Sequence, residues 1–454
     1  MKENSGLDYT GFHGRIAQAL NATKRVVGDA IKPTFSGRIS DVRGSLIKAT
    51  VPRGEIGHMC SMIEPDKGVV GQAEIVGFQG GDALLAPFGS KLGLSQRIEV
   101  ASTGKLPHVT LSGASLGCML DWTGKQTYRF AASNRDDAAE TLALNVAPPL
   151  AVERVPVSEV FSTGVRVIDG LLTTGRGQRL GIYGNAGLGK STLIEMVLSN
   201  ASADVVVVAL IGERGREVVE MVQKIEMSSQ PGRICVFVST SDRPAVERLN
   251  TAFAATSAAE FFRKKGLNVL LVIDSITRVA RASRDIGLAR GEPPTRRGFP
   301  PSVFEMLPPL FERAGAFKTG SITGLYTVLV EGEITEDPIA EETKSLLDGH
   351  ILLSQTVSSK GIYPAVDVMA SLSRNMRRLV SEDHWRAAQS VRTLIGAYAE
   401  IELLVRVGEF QRGQDIVADK ALDAQGQIRS FLAQDIADTS VFEETLGALL
   451  EFEQ

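Results

Sequence analysis

Along the chain the apolar positions change rhythm, and each rhythm predicts a different kind of element. Between 25 and 109 short runs such as FSGRISDV, LIKATV, VVGQAEIVGF and ALLAPF are broken by Gly, Pro and Asp. Turn signals about every eight to twelve residues predict a small all-β sandwich or barrel. From 157 to 381 the runs become continuous: VVVVAL (205–210), ICVFVS (234–239), VLLVID (269–274) and LYTVLV (325–330). Unbroken β-branched and aliphatic runs suit strands covered on both faces, as in a parallel sheet flanked by helices. Over 382–454 the period turns helical, with Val391, Leu394, Ile395 and Tyr398 drawing one apolar stripe. The stretch 110–156, carrying Pro148, Pro149 and Pro156, reads as a linker. In the first 24 residues Phe12, Ile16, Ala19 and Leu20 fall at helical spacing. That face is too short to bury itself, so this is a frayed tail or a docking helix for a partner.

Composition narrows the class without changing this outline. The chain has 454 residues, 43% hydrophobic and 22% charged, room for about three domains of roughly 150 residues. Lys and Arg number 49 against 53 Asp and Glu, a net charge of −4, so no overall basic field draws it to nucleic acid or membrane. The longest apolar runs fall well short of the roughly 20 residues that span a bilayer. No apolar core follows Lys2, so no cleaved signal peptide is expected. Cys60, Cys118 and Cys235 are odd in number and far apart, against a disulfide framework or a Cys-rich zinc site. The expected compartment is the cytoplasm.

The sharpest motif is Gly184-Asn185-Ala186-Gly187-Leu188-Gly189-Lys190-Ser191, a full GxxxxGK[ST] between the strand-like LGIY (180–183) and the helical STLIEMVLSN (191–200). Glycines let backbone N–H groups turn inward around a phosphate, and the helix N-terminus adds its positive end. Lys190 can then reach the β- and γ-phosphates, and the Ser191 hydroxyl can ligate Mg²⁺. Such a site needs a metal-side carboxylate at a neighbouring strand end. Asp274, closing VLLVID, supplies one. The run Gly212-Glu213-Arg214-Gly215-Arg216-Glu217 follows VVVVALI directly. There a carboxylate can orient a water and an arginine can stabilise the transferring phosphoryl group. On these residues alone, a self-satisfied ion-pair cluster is an equal reading.

Together GERGREV (212–218), DSITR (274–278), GEPPTRRGFPPSVF (291–304), DPIAEETKSLLDGHI (337–351) and YPAVDVMASLSR (363–374) resemble the type III secretion ATPases, relatives of the rotary ATP synthase catalytic subunit. The resemblance runs from about residue 157 to the mid-420s. SDRPAVERL (241–249) and IELLVRVGEFQRGQD (401–415) look closer to the injectisome branch than to the flagellar export ATPases. It implies a P-loop (RecA-like) α/β core between an N-terminal β-barrel domain and a C-terminal helical domain, with ATP and Mg²⁺ bound. Thr192 would then lie beside Lys190 and Ser191, Asp274 would act on the metal through water, and Glu217 would tune the metal shell. Glu213 would be the general base, Arg214 and Arg278 would face the γ-phosphate, and Tyr363 would stack on adenine. For Tyr363 a plain packing role before Pro364 is an equal reading. Arg374 would be an arginine finger delivered to the neighbouring subunit.

The resemblance further implies a homohexamer, a central stalk protein, a peripheral stator-like regulator, chaperone–effector complexes and an export gate at the membrane. The chain would then sit in the cytoplasm, held peripherally at the inner-membrane secretion apparatus. Two departures from the family pattern stand out: GNAGLGKS in place of an AGSGVGKS-like loop, and Thr295-Arg296-Arg297 with two adjacent cations where one is usual. Hexameric RNA translocases such as Rho share several of these motifs. Their front domain binds single strands with aromatics over a basic groove. Here residues 33–109 hold only Phe35, Phe78 and Phe88, interspersed with acids, so no nucleic-acid partner is expected.

Overall fold

The computed structural model describes residues 36–453 except 91, 92, 134 and 333; the tail expected over 1–24 lies outside them. Strands β1 (Ser36–Arg43), β2 (Leu46–Ala49), β3 (Met59–Glu64), β4 (Gly68–Gln79), β5 (Asp82–Pro87) and β6 (Glu99–Ser102) close in the order β1-β2-β5-β4-β3-β6. Of the two all-β forms, the chain adopts the barrel. Alternate residues point inward: Cys60 and Met62, Ala73 and Ile75, Ala83 and Leu85. Mixing small with large side chains suits the narrow interior of so few strands.

Next come β7 (His108–Leu111), β8 (Cys118–Leu120), β9 (Gln126–Arg129), β10 (Glu140–Ala143), β11 (Val160–Phe161) and β12 (Thr174–Gly175). The long strands follow: β13 (Arg179–Gly184), β14 (Val205–Ile211), β15 (Ile234–Ser239) and β16 (Asn268–Asp274). The last are β17 (Gly315–Ala316), β18 (Ser321–Leu329), β19 (Gly349–Leu352) and β20 (Leu372–Ser373). The main sheet runs β20-β19-β13-β18-β16-β14-β15-β8-β9, with β17 paired to β18. From β19 to β8 it is parallel.

Its long strands are apolar at every position because both faces are covered. Val205, Val207 and Ala209 join one core, with Ala252–Ala259 of helix Ala245–Lys264 and Val303–Phe311 of helix Pro301–Glu312. Val206, Val208 and Leu210 join the other, with Leu193–Val197 of helix Lys190–Asn200.

Part of the stretch expected as a linker, 110–156, is instead built into this sheet. Strand β8 continues it beyond β15, with Cys118 beside Cys235, and β9 forms the edge. Arg313, 1% exposed, clamps the end of the stretch. Its Nη1 donates to Leu144 O at 2.7 Å while Nε and Nη2 each hold Glu260 at 2.8 Å. Strands of three or four residues between glycines have no measurable period; they exist because a neighbouring strand edge is there to pair with.

Three C-terminal helices, Glu382–Val407, Ile416–Leu432 and Phe442–Leu450, complete the chain. Ser381 caps the first by accepting from His384 N, and Asp415 caps the second by accepting from Val417 N and Ala418 N. On the expected stripe Val391 and Leu394 are buried, while Ile395 and Tyr398 pack beside Ala421 and Ile428.

Candidate nucleotide site

A parallel sheet aims all its strand ends, and the loops that leave them, at one crevice. Here Gly184 ends β13, Gly212 follows β14, Asp274 ends β16 and Leu329 ends β18. The resulting cleft of about 400 Å³ is lined by Ala186, Gly187, Gly189, Lys190, Ser191, Thr192, Glu213, Glu217, Asp274, Ser275, Arg278 and Leu329.

In the loop after β13, Gly187 and Gly189 have φ of 82° and 87°, and nothing lies within 4 Å of where either Cβ would stand. Glycine is needed there for the left-handed backbone, which turns the amides toward an open cradle. Leu188 turns the other way, onto the core. Lys190 Nζ donates to Gly184 O and Asn185 O, each at 2.6 Å. Burial pushes its ammonium down to about 8, against the pull of Asp274 and Glu213. A polyanion in the cradle would reverse that shift.

Asp274 is 8% exposed and its Oδ1 accepts from Thr327 Oγ1 at 2.6 Å on the adjacent β18. Burial raises its carboxyl, while Thr327, Arg278 and Lys190 oppose the rise. Glu213 Oε2 meets Arg278 Nη1 at 3.0 Å, and the same nitrogen donates to Gly212 O. The loop is held against β15: Gly212 N donates to Ser239 O at 2.6 Å and Ser241 N to Glu213 O at 3.0 Å. Burial and a hydrogen bond donated to the Glu217 carboxylate push Glu213 up, and Glu217 is lowered in turn. The two acids share one proton.

The cleft suits a nucleotide and a hard cation. Its cradle would accept phosphate oxygens, and its donors to a metal are all oxygen: Ser191, Thr192, Glu217 and Asp274. Ser275, whose Oγ is buried without a hydrogen-bond partner, lines the same cleft. No group of three or more His, Cys, Asp or Glu among the described residues could cage an ion alone. This is the usual situation for magnesium, held by one or two carboxylates together with substrate phosphates and water.

Of the residues singled out in the sequence, Lys190, Ser191, Thr192, Glu213, Glu217, Asp274 and Arg278 converge with Ala186, Gly187 and Gly189. Gly184 and Asn185 belong to the same loop, Asn185 at its exposed crown. Arg214 does not join them: its side chain is 79% exposed, and it touches Glu217 at 3.7 Å. Tyr363 is 55% exposed and lines no part of the cleft.

Arg374 is at the far end of the sheet. It follows β20, its N–H bonds Asp348 O at 3.0 Å, and Asp348 N bonds Arg179 O, where β13 begins. The phosphate loop leaves the other end of β13, about 16 Å away at 3.3 Å per residue. Ser275 and Thr327 are the site residues that sequence reasoning passed over. Adjacency to Asp274 pointed to Ser275, whereas Thr327 enters only through strand pairing. The doubled cations both find partners: Arg296 lies 3.3 Å from Glu342 and Arg297 3.4 Å from Glu336.

Residues 164–373 match the ATP synthase alpha/beta family, nucleotide-binding domain, and residues 380–451 match the T3SS EscN ATPase C-terminal domain. A type 3 secretion system ATPase of Sinorhizobium fredii is 45% identical over 98% of this chain and 97% of its own length. The structure of the assembled ATPase EscN from the enteropathogenic E. coli type III secretion system superposes with a TM-score of 0.85. It is 42% identical, over 92% of this chain and 99% of that one. EscN in complex with its central stalk EscO superposes at 0.82, with 42% identity and the same shares of the two chains.

Proposed function

The chain belongs to the type III secretion ATPases, and from that premise we propose that it hydrolyses ATP in a closed ring whose every site is finished by the neighbouring subunit. The observation that carries this reading is the separation of two halves of one chemistry. Loop, metal-side carboxylate and candidate base share a cleft, while Arg374 stands exposed at the opposite end of the sheet. No side chain spans about 16 Å, so Arg374 is of use only to a second copy. A closed ring of identical head-to-tail contacts gives every copy both roles, and we take the ring to be a hexamer.

Within one site the loop amides and Lys190 hold the β- and γ-phosphates. Ser191, with Asp274 acting through water and Glu217 nearby, would hold magnesium, which when bound supplies positive charge against the bridging oxygens. Glu213 orients the attacking water and accepts its proton, and Arg278 aims the Glu213 carboxylate. The neighbour's Arg374 meets the charge that spreads over the transferring group, a contribution of about 10³–10⁵ in rate. Arg214 and Tyr363, both exposed, join the nucleotide when the adjoining subunit and the adenine cover them.

The work drawn from hydrolysis is release of chaperones from export cargo and its unfolding for secretion. A central stalk would enter the ring; the assembled EscN is in complex with its central stalk EscO. A peripheral regulator, chaperone–effector pairs and the export gate complete the partners, and nucleic acid is not among them. Among the described residues no helix is long and apolar enough to cross a membrane, in keeping with a cytoplasmic ring held at the membrane by its partners. A size-resolved ATPase assay across protein concentration tests the reading. Activity per subunit should climb steeply as rings form, and constant activity from monomer to ring would refute it.

A further inference from the structure

Beneath Arg374 lies an ordered polar assembly that the hydrolytic cleft does not use. The Arg374 N–H donates to Asp348 O at 3.0 Å, and its guanidinium reaches Lys344 O at 3.3 Å. Asp348 O also accepts from Gln178 Nε2 at 3.1 Å, and the same Nε2 donates to Ser373 Oγ at 3.0 Å. Gln178 is fully buried, and its Oε1 is occupied by Gly175 N at 2.9 Å. The Asp348 carboxylate grips the start of β13. Oδ2 takes the Arg179 backbone N–H at 3.0 Å and Nε at 2.9 Å, and Oδ1 takes Nη2 at 3.1 Å. Arg179 Nη1 is held in turn by Glu312 at 2.5 Å, and Glu312 by Arg154 at 3.0 Å. A two-point guanidinium–carboxylate contact fixes direction as well as distance. The Asp348 carbonyl that the Arg374 N–H meets therefore belongs to a residue whose carboxylate is fixed at both oxygens.

We propose that Asp348, seated by Arg179 and backed by Gln178, is a positioning residue for the arginine that this subunit lends to its neighbour. This proposal rests on the trans reading above. Its consequence follows from the strand involved. Gln178 and Arg179 stand at one end of β13 and the phosphate loop leaves the other. The element that holds the lent arginine is thus the element that holds the lender's own nucleotide. A displacement at one site is passed along a single buried strand to the finger serving the next.

Full-length chains carrying Asp348→Ala should bind nucleotide and form rings as the parent does. Their kcat should fall by about 100-fold, the cost of a misplaced reactive group, with KM within about two-fold. Asp348→Asn, which keeps the shape and one acceptor, should fall between the two. If Asp348→Ala does not assemble, this second variant carries the test.

Mixed rings give a readout that loss of general stability would not move. Lys190→Ala subunits lack a working pocket but keep the finger. Mixed one to one with Asp348→Ala, they should restore activity toward the ceiling of roughly a quarter of interfaces that pair an intact pocket with a seated finger. The yardstick is Lys190→Ala mixed with Arg374→Ala. Asp348→Ala mixed with Arg374→Ala should rise no higher than Asp348→Ala alone, because neither copy presents a seated finger. Near-parental kcat in the Asp348 variants overturns the proposal. So does failure of Asp348→Ala to recover where Arg374→Ala does. If the yardstick mixture itself fails, the trans reading falls and the proposal with it.

Discussion

On the proposed reading Glu213 carries the most demanding chemistry on a single side chain, and its surroundings do two different things to it. Burial and the proton shared with Glu217 raise its carboxyl, while the Arg278 cation opposes that rise and favours the ionised form a base requires. Arg278, at 3.0 Å, holds the group in one orientation. Replacing the carboxylate by an amide keeps shape and packing but removes proton acceptance. Glu213→Gln should therefore lower kcat by about 10²–10⁴, while nucleotide affinity stays within a few-fold. Equal rates in variant and parent, measured by phosphate release, would instead make this a structural ring subunit.

Where the barrel meets helix Ala245–Lys264, Glu74 of β4 accepts from Asn250 Nδ2 at 3.1 Å, and Glu247 accepts from Gly89 N at 2.6 Å. Burial raises both acids, Glu74 up to about 7 despite the Asn250 bond. Between pH 4.5 and about 7 the folded chain keeps a proton on Glu74 that the unfolded chain has already released. Stability therefore falls as pH rises through that window and is level in this respect above it. Glu74→Gln retains an acceptor for Asn250 and removes the buried charge. It should raise stability at pH 8 by on the order of 1–3 kcal/mol and change it little at pH 4.5. Urea midpoints at the two pH values check this; a variant less stable than the parent at pH 8 would reverse the sign of the argument. The same scale explains the missed strands β8 and β9. Strand β9 pairs with β8, and the partner that seats β8 in the sheet, β15, lies more than a hundred residues further on in the chain, beyond the reach of a local pattern.

Across the whole molecule Arg374 and the phosphate cleft sit at opposite ends of the main sheet, and on the proposed reading assembly joins them. Arg374→Ala should therefore abolish turnover in rings while leaving nucleotide binding by each subunit intact, and full activity in that variant would remove the finger assignment. Motif order and local spacing determined the P-loop, the strand that feeds it, the Asp274 strand end and the helical C-terminal module. Each depends on a handful of neighbouring residues whose backbone preferences act at short range. Tertiary structure alone decided the closure of the barrel, the strands within 110–156, the Thr327 contact to Asp274 and the distance of Arg374 from its own phosphate loop. Those depend on which distant segments lie side by side, and the energy of such pairings is absent from any single stretch of chain.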